Sequence, residues 1–81
     1  MRGLRSLPGV SVHSLAAAGD GVPDLLVGYQ GRNYLIEVKN PAKPPSVRKL
    51  TPEQLKFHAA WRGQVAVVLT LTDAMQVIGW G

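Results

Sequence analysis

Three ionisable side chains stand at the ends of two apolar runs in the stretch GDGVPDLLVGYQGRNYLIEVKN, residues 19–40. Asp24 precedes Leu25-Leu26-Val27, and Glu37 and Lys39 bracket Val38 after Leu35-Ile36. A strand that buries those apolar residues has no need to begin with a carboxylate or to end on Glu-Val-Lys. Side chains alternate faces along a strand, so Glu37 and Lys39 point the same way while Val38 points into a core. If the two runs form an antiparallel hairpin turning near Gly31, Asp24 lies beside the end of the second strand. All three groups then meet at one edge of the sheet. Two carboxylates a few ångströms apart repel unless a cation lies between them. Oxygen donors select a hard ion, and Mg²⁺ takes one or two carboxylates while keeping several waters. Such an ion can polarise a phosphodiester and lower the pKa of its bound water. A lysine at the rim can orient that water or neutralise developing charge.

The rest of the chain supplies a frame for these groups. RGLRSL predicts a turn or two of helix, stopped by Pro8-Gly9. VSVHSL alternates apolar and polar residues as a half-buried strand does, and AAAGDGVP is a glycine-rich loop. DLLVGY and NYLIEVK are strands joined at QGR, where Gly31 can take positive φ. NPAKPPSVRKL is a loop, because its prolines exclude regular pairing. TPEQLKFHAAWRG predicts a helix with Thr51 as N-cap, Pro52 at the first position and Gly63 at the end. Phe57 and Trp61, four apart on that helix, are expected in the core. QVAVVLTL reads as a strand buried on both faces, reached by a crossover and therefore parallel to its neighbour. TDAMQVIGW predicts a final short helix capped by Thr72 or Asp73. The expected fold is a single α/β domain over residues 1–81, with a mixed sheet of about four strands flanked by helices.

Composition narrows the setting. A chain of 81 residues leaves a large part of its surface uncovered and gains from self-association. A formal net charge of +4 favours a polyanionic partner. There is no cysteine, which excludes a disulfide framework and a thiolate zinc site. No apolar run approaches the ~20 residues that span a bilayer, and MRGLRSLPG is not followed by the apolar segment of a secretory signal. A soluble cytoplasmic protein that does not engage membranes is expected.

Pro23-Asp24 followed by Glu37-Val38-Lys39 resembles the PD-(D/E)XK nuclease signature. With the flanking GVPDLLVG, YLIEVK, a proline-rich loop, LTPEQ and WRGQVAVV, the pattern resembles the VRR-NUC branch of that superfamily. The likeness is dense from Gly19 to Val68 and loose outside. It implies a restriction-endonuclease-like core that cleaves branched or flapped DNA with Mg²⁺ or Mn²⁺. The small stand-alone members, bacterial or phage-encoded, are associated with Holliday junction resolution as homodimers. Carried over, Asp24 and Glu37 are metal ligands with the Val38 carbonyl as a third. Lys39 serves the attacking water, and Gln54 faces the catalytic centre. The family's early helical glutamate has no counterpart, since no acid precedes Asp20. That departure bears on whether a second metal binds, and Asp20 is the one residue that could compensate.

Bland explanations stand beside these. The acids and lysine taken singly suit surface ion pairs, and Thr51-x-x-Gln54 is also a capping box. Lys43, Arg48, Lys49, Lys56 and Arg62 follow the proposed site and are candidates for phosphate contacts. His13 and His58 match no metal-ligand spacing and are read as structural or surface residues. Trp80 is open between covering the core and lying at a subunit contact, and Met75, Val77, Ile78 and Trp80 exceed what a short helix needs for one buried face. The leading expectation is a metal-dependent, structure-selective DNA endonuclease. The alternatives are a degenerate nuclease fold that binds DNA without cutting, and a nuclease subunit that requires a partner chain.

Overall fold

The computed structural model describes residues 2–81. Strands β1 (Val10–Ser14), β2 (Leu25–Tyr29), β3 (Arg32–Val38) and β4 (Val65–Val68) lie side by side in chain order. The pairs β1–β2 and β2–β3 are antiparallel, and β3–β4 is parallel. Helices α1 (Arg2–Ser6), α2 (Pro52–Ala60) and α3 (Leu71–Ile78) complete the fold. The α/β class, the mixed four-stranded sheet and the parallel crossover through a helix are as the sequence predicts.

A two-residue turn sets the register of the central hairpin. Gln30 (φ 50) and Gly31 (φ 77) both adopt positive φ, the combination whose twist matches that of the strands it joins. Tyr29 therefore faces Arg32, and the pairing runs on to Leu25 opposite Ile36. One face of the sheet carries the core. Leu25 and Val27 of β2, Tyr34 and Ile36 of β3 and Val68 of β4 pack with Leu4 of α1 and with Ala74 and Ile78 of α3. The other face presents Leu26, Leu35 and Glu37, by the alternation of the strands.

Four expectations are corrected. The cap of α3 is Thr70, whose hydroxyl accepts from the Asp73 N–H at 3.1 Å while Asp73 Oδ2 accepts from the Thr70 N–H at 3.2 Å. Thr72 and Asp73 lie inside the helix, Asp73 as the reciprocal partner of the box. β4 is an edge strand buried on one face only: Val68 is buried, but Val67 is 43% exposed. The second helix ends at Ala60 rather than Gly63, because Trp61 turns to extended backbone (φ −69, ψ 129). Phe57 and Trp61 are not core residues. α2 buries none of its side chains, Trp61 is 45% exposed, and the two rings stack on each other, centroids 5.2 Å apart.

The C-terminal residues find their partners within the chain. Ile78 is buried, Val77 and Trp80 pack against the core, and Trp80 Nε1 donates to the Pro8 carbonyl at 3.1 Å. Trp80 therefore covers the core. Most of the apolar surplus predicted for this helix is absorbed there, so it carries no argument for a dimer.

Candidate functional site

The hairpin brings two of the acids together by its register. Continued one step beyond Leu25 opposite Ile36, the same pairing sets Asp24 opposite Glu37. Residues directly opposite in an antiparallel pair share a face, with Cβ atoms about 5 Å apart, and like charges there destabilise. The ladder stops here because Pro23 has no N–H to contribute. Asp24 takes over: its Oδ2 accepts from the Val38 N–H at 2.8 Å, while its backbone carbonyl accepts from the Leu15 N–H at 2.7 Å. A carboxylate at this strand start thus closes the hairpin and is held by it.

Glu37 is the one buried charged residue among those described, 2% exposed, and its Oε1 has no hydrogen-bond partner. Burial pushes its carboxyl up to about 7, reinforced by a hydrogen bond with Asp24 and by the Asp24 charge, against the opposing pull of the Lys39 ammonium. Near neutral pH the Glu37 carboxyl therefore takes up a proton far more readily than an ordinary carboxylate. The pair has one acceptor too many for its surroundings. That is the condition a proton or a cation relieves.

Helix α2 reaches this site through its first turn. Gly21 (φ 77) lies so close to the helix that a Cβ there would collide with the Glu53 carbonyl oxygen. Only glycine satisfies both the backbone conformation and the approach. The contact lowers Gln54 onto Lys39, whose Nζ donates to Gln54 Oε1 at 2.9 Å. The same oxygen accepts from the Thr51 N–H at 2.9 Å, and Thr51 Oγ1 accepts from the Gln54 N–H at 3.2 Å. Gln54 thus completes the capping box, as its spacing from Thr51 predicts, and the same oxygen meets Lys39.

His58, read from the sequence as a structural or surface residue, comes under the influence of Lys39. It lies one helical turn after Gln54, on the side of α2 toward the sheet, and its Nε2 is buried without a partner. Burial lowers its pKa below the usual histidine value, and the Lys39 ammonium adds to that effect. The available signal was the i,i+4 spacing of Gln54 and His58, which puts them on one helical face. Among the described residues no group of three His, Cys, Asp or Glu side chains comes together; the acids form a pair.

The remaining candidates are dispersed. Asp20 lines a recess with Glu53, Lys56 and Phe57, outside the Asp24–Glu37 pair, so it does not replace the missing early acid. Arg48 is half-buried in a separate groove lined by Pro45, Val67, Leu69, Asp73 and Val77, which contains none of the site residues. Lys43, Lys49, Lys56 and Arg62 are exposed. The basic residues predicted as a group are thus split between the α2 flank, the loop before it and the β4 edge. His13 is exposed on β1, across from Leu26.

Compared with protein-family models, with curated proteins and with solved structures, the chain gives no match.

Proposed function

We propose that this chain is a metal-dependent endonuclease of branched DNA with a PD-(D/E)XK-like core. The observation that carries the reading is the pair Asp24–Glu37, two carboxylates fixed face to face with Glu37 Oε1 buried and unpartnered. The donor set suits a hard cation: two carboxylates on rigid strands, with the Val38 carbonyl at the same strand end as a third oxygen. Bound there, Mg²⁺ or Mn²⁺ would supply charge neutralisation at the phosphodiester and a more acidic water. The reaction is a hydrolysis in which water oxygen bonds to phosphorus, one P–O bond breaks and the leaving oxygen takes up a proton. Asp24 and Glu37 would hold that ion beside the reacting phosphate, which the bare carboxylates would repel. Lys39 neutralises charge that develops on it, its ammonium held ready by the Gln54 oxygen at 2.9 Å. Lys43, Lys49 and Lys56, all exposed, contribute sequence-independent phosphate contacts.

A branched substrate has near two-fold symmetry, and a C₂ homodimer would set two such sites to nick opposing strands. The exposed β4 edge is on offer for a second subunit, with Val67, paired with Glu37 in the β3–β4 register, on the same face as the acids. Nicking of a synthetic four-way junction against linear duplex, in Mg²⁺, Mn²⁺ or EDTA, tests the reading. Cleavage confined to the metal-containing junction samples supports it; no cleavage with any metal sinks it. A second reading, DNA binding without cleavage, draws on the limitation of the acidic set to two residues. Junction binding that persists when no metal yields nicks would favour it.

A further inference from the structure

The exposed end of α2 carries an aromatic surface that the chemistry above does not use. Phe57 and Trp61 lie nearly parallel, 15° apart with centroids 5.2 Å from one another, and His58 meets Phe57 edge-on at 6.5 Å. These rings form a row that starts beside Lys39, at His58, and ends in solvent at Trp61. Phe57 covers one face of the indole and the Gly63 backbone abuts its edge at Nε1, while Trp61 remains 45% exposed. Leu55 on the same helix is 56% exposed. Lys56 lines the recess beside Phe57 together with the acids Asp20 and Glu53, and Arg62 follows Trp61 in the chain. An aromatic platform edged by cations has the chemistry that holds single-stranded nucleic acid, in which bases stack and phosphates pair with basic groups.

We propose that the Phe57–Trp61 stack is a platform for an unpaired base of the DNA strand whose phosphodiester lies at Asp24, Glu37 and Lys39. The inference rests on the nuclease reading and deepens it, because it calls for a single-stranded stretch next to the reacting phosphate. Trp61 lies about 10 Å along the helix from Gln54, at 1.5 Å per residue. At ~3.4 Å per nucleotide, the stacked base is within about three nucleotides of the site. The helix end and its aromatic pair are thereby given a partner of stated chemistry, with Lys56 and Arg62 for the flanking phosphates.

The test is oligonucleotide binding in EDTA, followed by tryptophan emission and by anisotropy of a labelled strand, so that it does not depend on cleavage. An eight-nucleotide thymidine strand is compared with an abasic strand of the same charge, using the wild-type protein, Trp61→Ala and Trp61→Phe. The expected result is quenched emission with the thymidine strand, absent in Trp61→Phe, where Trp80 remains as an internal control. Affinity should fall roughly 5- to 150-fold in Trp61→Ala, with the abasic strand bound equally weakly by all three proteins and Trp61→Phe close to wild type. The slope of affinity against salt should be unchanged in Trp61→Ala, because that slope counts phosphate contacts. Equal binding of thymidine and abasic strands by the wild type overturns the platform and leaves the nuclease reading standing. No binding of either strand likewise overturns the platform, while the nuclease reading is decided by junction cleavage with metal. Emission that shifts with protein concentration alone, and not with oligonucleotide, overturns the platform in favour of a second copy of this chain covering Trp61.

Discussion

Glu37→Gln isolates the electrostatic cost of the acidic pair. The wild-type carboxyl has its pKa raised from 4.5 to about 7 in the folded chain, chiefly by burial, then by its hydrogen bond with Asp24 and the Asp24 charge. A raised carboxyl pKa means that folding takes up a proton. The stability from this group is fully present below the unfolded value of 4.5 and is lost as pH rises through about 7. At 1.36 kcal/mol per unit, the loss across that window is on the order of 3 kcal/mol, a large share of the ~5–15 kcal/mol that holds a domain folded. Glutamine has the same shape and no charge, and its amide can donate to Asp24, so the variant should show little change over the same window. The assay is urea unfolding in EDTA at pH 4.5, 6, 7 and 8.5. The expected outcome is near-equal stability at pH 4.5 and a variant more stable than wild type by about 2–3 kcal/mol at pH 8.5. Asp73 works in the opposite sense. Its pKa is lowered, chiefly by the N–H of Leu69, so its contribution is present above pH 3.8 and lost at more acid pH, outside the window. A variant that keeps the wild-type slope between pH 4.5 and 7 would refute the assignment of that slope to Glu37.

Further outcomes follow from the same geometry. Lys39→Ala should abolish cleavage and lower stability more at pH 8.5 than at pH 4.5, because its ammonium offsets the buried Glu37 carboxylate; nuclear magnetic resonance should also show the His58 pKa moving up toward its usual value, since the Lys39 charge helps to lower it. Thr70→Ala should cost about 1 kcal/mol of global stability, because α3 contributes Ala74 and Ile78 to the core. Thr51→Ala removes an equivalent cap from a helix that buries no side chain, so it should speed amide exchange within α2 and leave the global unfolding midpoint in place. Gly21→Ala, at φ 77 and against the Glu53 carbonyl, should cost more than about 1 kcal/mol and release Gln54 from Lys39, with loss of cleavage exceeding any loss of folded protein at assay temperature.

How far the sequence spoke depends on whether the decisive physics was local. The hairpin was legible because a glycine turn and two apolar runs define a register, and the register alone sets Asp24 against Glu37. The capping box at Thr51 was legible for the same reason, being contained in four residues. The cap of α3 was not, since Thr70, Thr72 and Asp73 compete within one turn and only the direction of the incoming chain decides among them. QVAVVL looks alike whether a strand is covered on both faces or lies at an edge, so the exposure of Val67 had no sequence signal. Arg48 left the site because three prolines fix local angles without fixing where a loop goes. Phe57 and Trp61 were assigned to the core from spacing, but spacing states only that two side chains share a helical face. It does not state that the face meets the sheet.

That last distinction bears on how the site would work. The acids are held by elements that cannot yield: Leu25 and Ile36 beside them are buried in the core, and Pro23 is enclosed as well. Strand separation is therefore closed as a route for relieving their repulsion, which leaves a proton or a cation. Lys39 and Gln54 are held differently. Their bond crosses from the sheet to α2, a helix fixed by its close approach at Gly21 and its cap rather than by apolar burial. Breaking it exposes no core and leaves Gln54 still bonded to the Thr51 N–H. The ammonium can thus leave the glutamine for a phosphate oxygen at small cost, while the carboxylates stay where they are. Fixed acids require no reorganisation when charge develops next to them, and a releasable lysine supplies the movement that binding and product release require.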